Sequence, residues 1–217
     1  MNRASNIPNR LRIPAGRADA EIVVKNSVFY GTVDHAPDVE AAHAFVAELK
    51  ARYADASHNA SAFCISGGPQ AVIGSSDDGE PGGTAGRPML AVLQGSGLVQ
   101  AVAVVTRYFG GQKLGTGGLV RAYGAAVREA LNLLPTTELV LHQVARLRTD
   151  YHLLGKLQYL LPQYKVRTLD ERYDQAVELE IAIPYPRRDA VAALLRELSN
   201  GQIELQTQET SYLSTEG

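Results

Sequence analysis

The sequence predicts a two-domain α+β protein, because its length, a change of pattern and an element order all point to two small folding units. The chain has 217 residues, enough for two domains of about 100 residues each. A long helical pattern ends near Pro135. After it, strand-like and helix-like segments follow in the order βαββαβ, which is the split-βαβ, ferredoxin-like motif. We therefore place the domains at residues 1–134 and 138–217.

The elements of the second domain follow from hydrophobic periodicity. In the segment 176–184, apolar residues alternate with glutamates, which predicts a strand with one apolar face. In the segment 187–199, valine and leucine recur at helical spacing, which predicts an amphipathic helix. The predicted elements are strand 139–148, helix 151–161, strand 165–173, strand 176–184, helix 187–199 and strand 202–209.

The first domain is less regular, but one strand stands out. Residues 98–106 are almost continuously apolar, as expected of a central strand that is covered on both faces. The sequence Gly67-Gly68-Pro69 predicts a turn between two short strands. The predicted elements are strands 21–24 and 28–33, helix 39–53, strands 62–66 and 71–74, helix 88–94, strand 98–106 and helix 115–134.

Composition and charge exclude several classes of protein. No apolar run reaches the roughly 18 residues that a membrane span needs, and the N-terminus lacks the apolar core of a signal peptide. A single cysteine, Cys64, excludes an internal disulfide and a multi-cysteine zinc site. We therefore expect a cytoplasmic protein without membrane association.

The distribution of charge limits how the protein could bind nucleic acid. The net charge is −2, which argues against non-specific coating of nucleic acid. Residues 1–134 contain 12 lysines and arginines against 11 acidic residues, whereas residues 135–217 contain 9 against 12. An RNA contact would therefore be a confined patch on the first domain.

A glycine-rich segment, residues 106–118, joins the apolar central strand to the long helix. A strand, a glycine-rich turn and a helix N-terminus together present backbone N–H groups to an anion. Arg107 and Lys113 lie in this segment and Arg121 lies near the start of the helix, so their charges would add to the same site. The glycines whose backbone would form this anion site are Gly110, Gly111, Gly115, Gly117 and Gly118.

This segment matches neither a Walker A motif nor the dinucleotide-binding fingerprint. Its glycines are equally explained by a tight turn with positive φ and by close packing of helix on strand. Anion binding and a purely structural role therefore both stay open.

Three carboxylates, Asp77, Asp78 and Glu80, lie in a second glycine-rich segment that ends at Arg87. Such oxygens could hold Mg²⁺ beside a phosphate. Asp-Gly and Glu-Pro are also ordinary turn sequences, and the carboxylates could pair with Arg87 or Arg107 and fix the loop. The structural interpretation is the favoured one, and we assign no metal and no cofactor. Arg87 joins the predicted anion-binding cations.

No segment carries the signature of a catalytic site. The chain lacks a Gly-x-Ser-x-Gly sequence, so a nucleophile-elbow hydrolase is not indicated. Cys64 lies inside an apolar strand pattern, where a buried structural cysteine is the commoner outcome. We assign no catalytic residue.

The two glycine-rich segments carry a resemblance to a known family. SDDGEPGGTAGRP at residues 76–88 and VVTRYFGGQKLGTGGLVRAY at residues 104–123 closely resemble the signature of the YigZ/IMPACT family, and the second half resembles the extra C-terminal domain of its bacterial members. The sequence departs from the family pattern at Asn59, where a second histidine is often found, and at Gly82, where serine is common.

The resemblance implies a fold and a function. It implies an N-terminal domain of the superfold shared by a small-subunit ribosomal protein domain and domain four of elongation factor G. It also implies a ferredoxin-like C-terminal domain similar to the last domain of that factor. Eukaryotic IMPACT relatives regulate translation by competing for the activator of a starvation-responsive initiation-factor kinase.

We therefore expect a non-enzymatic, translation-associated regulatory factor that binds RNA, ribosomal components or a translation-related protein through the glycine-rich basic surface. Two alternatives stay open, because one superfold hosts many functions. The first is an enzyme acting on a phosphorylated small molecule, with the glycine-rich loop as phosphate cradle. The second is a protein-interaction module.

Overall fold

The computed structural model describes residues 8–65 and 71–214, which divide into two units. The first unit contains Leu11–Glu138, and the second contains Pro8–Arg10 and the described residues from Leu139 onward. Both units combine helices with a sheet, so the predicted two-domain α+β class is confirmed. The elements are β1 (Arg10–Pro14), β2 (Ala18–Val24), β3 (Ser27–His35), α1 (Val39–Arg52), β4 (His58–Ile65), β5 (Val72–Ser76), α2 (Gly86–Gly95), β6 (Ala101–Tyr108), α3 (Thr116–Leu133), β7 (Thr136–Thr149), α4 (Tyr151–Leu160), β8 (Arg167–Tyr173), β9 (Val177–Pro184), α5 (Arg188–Leu198) and β10 (Gln206–Ser214).

The first unit is built on an antiparallel sheet with strand order β2-β3-β6-β4-β5. Helices α2 and α3 pack on one face, against Phe29, Ala103 and Val105. Helix α1 packs on the other face, against Val102 and Val104. Strand β6 is therefore central and covered on both sides, which confirms the prediction from its continuous apolar run.

The hairpin between β2 and β3 turns within two residues. Lys25 and Asn26 both have positive φ, 46° and 63°, as the tight turns that match strand twist require. Strand β3 also comes unusually close to α3, since a Cβ on Gly31 would lie 2.4 Å from the Ala126 carbonyl oxygen. This approach packs the middle of β3 directly against the middle of α3.

The second unit has the βαββαβ order that the periodicity predicts. Its strands lie in the order β10-β7-β9-β8 and pair antiparallel, which is the ferredoxin-like arrangement. One face of the sheet packs on α4 and α5 through Leu147, Leu179, Ile181 and Leu195. Two 3₁₀ turns follow α4 and β9, at Leu161–Tyr164 and Tyr185–Arg187.

Two features differ from the sequence predictions, and one prediction falls outside the described residues. Strand β1 is a regular element that the hydrophobic pattern did not predict. Strand β7 begins at Thr136, so only Leu134 and Pro135 separate it from α3. The turn predicted at Gly67-Gly68-Pro69 falls outside the described residues.

Among the helices of the described chain, none combines the length and hydropathy that crossing a membrane requires.

Candidate functional site

The two glycine-rich segments meet at a buried carboxylate, that of Glu80. Its Oε1 atom accepts a hydrogen bond from Arg107 Nη1 at 2.6 Å and another from the Tyr123 hydroxyl at 2.7 Å. The Glu80 side chain is only 3% exposed. One carboxylate thus joins the acidic loop, here residues 77–85, to strand β6 and helix α3.

Arg107 is buried between two aromatic side chains of this part of the fold. Its guanidinium lies 5.4 Å from the ring centre of Phe29 and 5.6 Å from that of Phe109, within cation–π range. The residue is 5% exposed. The expectation that Arg107 offers a surface charge to an anion is therefore corrected, because its charge is buried and neutralised by Glu80.

Tyr123 completes the buried cluster. Burial, followed by the hydrogen bond to the Glu80 carboxylate, raises the pKa of the Tyr123 hydroxyl well above its usual range. The hydroxyl therefore keeps its proton and serves as a permanent donor to Glu80. Sequence periodicity predicted that Tyr123 lies on the apolar stripe of α3, and it does. The hydrogen bond from its hydroxyl to Glu80 could not be predicted from that pattern.

The glycine loop, here residues 109–115, is fixed to the β2–β3 hairpin. The Ser27 hydroxyl oxygen accepts hydrogen bonds from the Gly110 N–H at 3.1 Å and from Arg107 Nη2 at 3.4 Å. A Cβ on Gly110 would lie 2.0 Å from the Asn26 carbonyl carbon. Gly111 and Gly115 have φ of 83° and 75°. Close packing therefore requires glycine at position 110, and the positive φ favours glycine at positions 111 and 115.

Asp77 holds the acidic loop against the start of α2. Its carboxylate accepts N–H hydrogen bonds from Gly83 at 2.7 Å, Ala85 at 3.0 Å and Gly86 at 2.8 Å. Ala85 and Gly86 form the beginning of α2, and the helix's own N-cap residue makes no side-chain hydrogen bond there. Burial alone would raise the pKa of Asp77, but these three donors outweigh it and hold the pKa below its ordinary value.

Asp78 joins the acidic loop to α1 and β4. Its side chain forms an ion pair with Lys50 Nζ at 2.5 Å and accepts the Asn59 N–H at 2.6 Å. Burial favours a higher pKa for Asp78, but these contacts lower it overall. His58 contacts the Asp78 carbonyl oxygen through Nδ1 at 2.8 Å. Each of the three candidate metal ligands is thus engaged by protein groups, as the loop-structuring interpretation expects.

Replacing Asp77 with alanine should lower the free energy of unfolding at pH 7 by about 2–3 kcal/mol, because three N–H groups lose a charged acceptor. A carboxylate with a lowered pKa in the folded state stabilises above the unfolded pKa, near 4. That contribution is lost as the pH falls through the lower folded value. Urea unfolding at pH 7 and pH 3 should therefore show a deficit that shrinks in acid.

Asp77→Asn serves as the matched control for this prediction, because it keeps one acceptor oxygen and removes the charge. We expect a smaller loss of stability at pH 7 and a weaker pH dependence than in the wild type. An unfolding free energy of Asp77→Ala equal to that of the wild type at pH 7 would contradict the capping role.

The remaining predicted cations, Arg87, Lys113 and Arg121, are exposed, and one of them, Arg121, lines a groove. This groove, of about 240 Å³, lies between the β2–β3 hairpin and α3, and Lys25, Gly118 and Arg121 line it. Lys113 is exposed two residues before the helix N-cap, Gly115. No acidic residue lies in the first turn of α3, and its N-cap residue makes no side-chain hydrogen bond.

Seven predicted residues do not line this groove: Arg87, Arg107, Gly110, Gly111, Lys113, Gly115 and Gly117. Arg87 lies at the start of α2, where its positive charge lowers the pKa of Asp77. Gly117 is exposed in the first turn of α3. Lys25 is the lining cation that sequence reasoning did not assign to the anion site. The positive φ of its two-residue hairpin is the feature that presents it there.

Comparisons with known proteins decide the family. Residues 25–131 match the Impact N-terminal domain, and residues 147–202 match a domain of unknown function, DUF1949. The chain is 40% identical over 195 residues to the IMPACT family member YigZ of Escherichia coli, an alignment that covers 89% of this chain and 95% of that protein. The chain belongs to the IMPACT family. The resemblance that the two glycine-rich segments indicated is thereby confirmed.

Two other comparisons agree with this assignment. The IMPACT family member YvyE of Bacillus subtilis is 38% identical over 193 residues, covering 89% of this chain and 88% of that protein. A crystal structure of a hypothetical protein is 39% identical and has a TM-score of 0.66, covering 94% of this chain and 99% of the other. The Impact N-terminal match includes the buried cluster and, apart from Val24, the residues that line the groove at α3.

The two departures from the IMPACT pattern have local explanations. The Asn59 side chain accepts a hydrogen bond from the Thr106 hydroxyl at 2.7 Å and donates one to the Tyr53 carbonyl at 3.2 Å, so it joins β4 to its neighbours. A Cβ on Gly82 would meet no atom within 4 Å. A serine would therefore fit at position 82, and neither departure disturbs the cluster.

Proposed function

We propose that this IMPACT family protein is a cytoplasmic, non-enzymatic factor in translation or its regulation. In this proposal it binds RNA or ribosomal components at the exposed N-terminal end of α3. The groove at this helix end is the observation that supports an RNA contact. Two cationic side chains border it, and the glycine-rich first turn of the helix contains no acidic residue. Family membership supports the link to translation.

The chemistry of the helix end fits phosphate oxygens. The first N–H groups of an α-helix have no partner within the helix, and the positive end of the helix dipole favours an anion there. In α3 these groups belong to a turn that contains Gly117 and Gly118, and a Cβ on Gly117 would meet no atom within 4 Å. Lys25 and Arg121 border the groove and Lys113 lies in the loop before it, so cations are available to bind phosphate oxygens.

The buried cluster has a supporting role in this proposal. Glu80, Arg107 and Tyr123 fix the acidic loop, β6 and α3 relative to one another, while the Ser27 contact fixes the glycine loop. The arrangement holds the exposed helix end in one geometry. With only a few exposed cations, we expect modest affinity that weakens as salt is raised.

Lys113→Gln and Arg121→Gln should each weaken RNA binding about threefold to tenfold. Each lost phosphate contact should also reduce the log–log salt slope by about 0.7–0.9. The measurement is binding of a mixed RNA pool and of purified ribosomal subunits by the full-length protein across a series of salt concentrations. Arg107 is not used in this test, because its replacement would disturb the fold.

Arg128→Gln is the matched control, since Arg128 is exposed on α3 two turns beyond Arg121 and the change in net charge is the same. We expect the control to bind RNA as the wild type does. If all three variants and the wild type have indistinguishable affinities and salt slopes, the end of α3 is not the RNA-binding surface.

A further inference from the structure

A second cavity, of about 560 Å³, lies within the ferredoxin-like unit and is more than twice the volume of the groove at α3. Its volume falls in the range typical of small-molecule sites. No aspartate or glutamate lines it, although residues 135–217 carry three more acidic than basic residues. Cationic side chains and an apolar wall that includes Val166 and Pro184 line it instead.

Three cations of this cavity lack a carboxylate partner among the described residues. Arg167 Nη1 donates to the Ser214 carbonyl oxygen at 2.8 Å, and Arg187 Nη1 donates to the Gln163 carbonyl oxygen at 3.3 Å. Lys165 follows a 3₁₀ turn with φ of 59°. These backbone acceptors orient the two guanidinium groups without neutralising their charges, and Lys165, Arg167 and Arg187 are all exposed. An anion in the cavity would be attracted by the three cations.

A buried histidine adds a hydrogen-bond acceptor to the same cavity. His142 is 4% exposed, and its Nδ1 lies 2.8 Å from the Val140 carbonyl oxygen, to which it donates. Burial, and then the charge of Arg167, lower the pKa of His142 against the opposing effect of that hydrogen bond, which favours the neutral form of the ring. Its Nε2 then carries a lone pair, and no described residue donates to it.

We propose that this cavity binds a small phosphomonoester with an apolar body. Arg167, Arg187 and Lys165 would bind the charged phosphate oxygens, and the apolar body would lie against Val166 and Pro184. His142 Nε2 would accept the proton of the phosphate hydroxyl. A phosphomonoester keeps such a proton near its second pKa of about 6. A sulfate ester has no such proton.

The site is independent of the RNA-binding proposal, because its lining residues belong to the second unit alone. The test uses ¹⁵N–¹H NMR titrations of the full-length protein with phenyl phosphate at pH 6. Phenyl sulfate is the matched ligand without an acidic proton, and phenol is the matched ligand without a charge. We expect phenyl phosphate to shift amides around the cavity and to bind at least tenfold more tightly than phenyl sulfate, and phenol to leave the spectrum unchanged.

Variants separate the two parts of this site. Arg187→Gln should weaken phenyl phosphate binding about tenfold or more, whereas Arg172→Gln, an exposed β8 arginine paired with Asp170, should not change it. His142→Phe should abolish the preference for phosphate over sulfate while both ligands still bind. The proposal is overturned if phenyl phosphate does not bind, if its shifts map to the first unit, or if Arg187→Gln binds as tightly as the wild type. Equal wild-type affinities for phosphate and sulfate esters would also overturn it.

Discussion

Replacing Glu80 with alanine should lower the free energy of unfolding of the first unit by about 3–5 kcal/mol, because it leaves the Arg107 guanidinium charged and unpaired in the protein interior. Glu80 is 8% exposed and Arg107 is 5% exposed, so water cannot compensate for the lost partner. The substitution also removes the acceptor of the Tyr123 hydroxyl. These two losses make this one of the most destabilising single changes we expect in the chain.

Chemical denaturation of the full-length protein, followed by a spectroscopic signal from the first unit, measures this effect. Glu129→Ala removes a carboxylate that is exposed on α3, and we expect it to change stability by less than about 0.5 kcal/mol. A double variant, Glu80→Leu with Arg107→Met, should recover much of the loss, since replacing both members of a buried pair by apolar residues is often neutral. A loss below about 1 kcal/mol for Glu80→Ala would show that the ion pair does not hold the two segments together.

Hydrophobic periodicity predicted much of the fold. The continuous apolar run at 98–106 indicated a strand covered on both faces, and β6 is that strand. The alternation at 176–184 indicated β9, and the helical stripe after it indicated α5. These patterns succeed because each side chain's direction along a strand or helix is set locally, by the backbone alone.

Contacts between segments far apart in the sequence could not be predicted from periodicity. Arg107 lies beside glycines and aromatic residues in the sequence, which is equally typical of an exposed anion-binding turn and of a buried anchor. Its partner Glu80 is 27 residues away, and Tyr123 is 43 residues from Glu80. Only the packing of α3 on the sheet brings the three together. Strand β1 escaped prediction for a related reason, since a short strand is stabilised by its neighbour rather than by its own pattern.

The glycines left two interpretations open in the sequence, and the structure gives different answers for different positions. Gly110 packs against the backbone of Asn26 and Ser27, where its missing side chain is a steric requirement. Gly117, in the first turn of α3, has no neighbouring atom within 4 Å of a Cβ. The structural interpretation therefore explains Gly110, whereas open space surrounds Gly117 at the proposed RNA-binding end of the helix.

Gly110→Ala should lower the free energy of unfolding by about 3 kcal/mol, the upper end of the cost of overpacking. The added Cβ would lie 2.0 Å from the Asn26 carbonyl carbon and 2.4 Å from the Ser27 nitrogen, and both are backbone atoms that cannot move aside cheaply. Gly117→Ala is the matched control, because it adds the same methyl group seven residues away. It should change stability by no more than about 1 kcal/mol, towards greater stability, since alanine is the better helix former.

Urea denaturation of both variants gives the comparison, and RNA binding by Gly117→Ala adds a second result. A methyl group at position 117 should hinder phosphate from reaching the first N–H groups of α3, so RNA affinity should fall while stability does not. Similar losses of stability in the two variants would contradict the assigned packing. Unchanged RNA affinity in a stable Gly117→Ala protein would instead place the RNA contact away from this helix turn, even with the packing of Gly110 upheld.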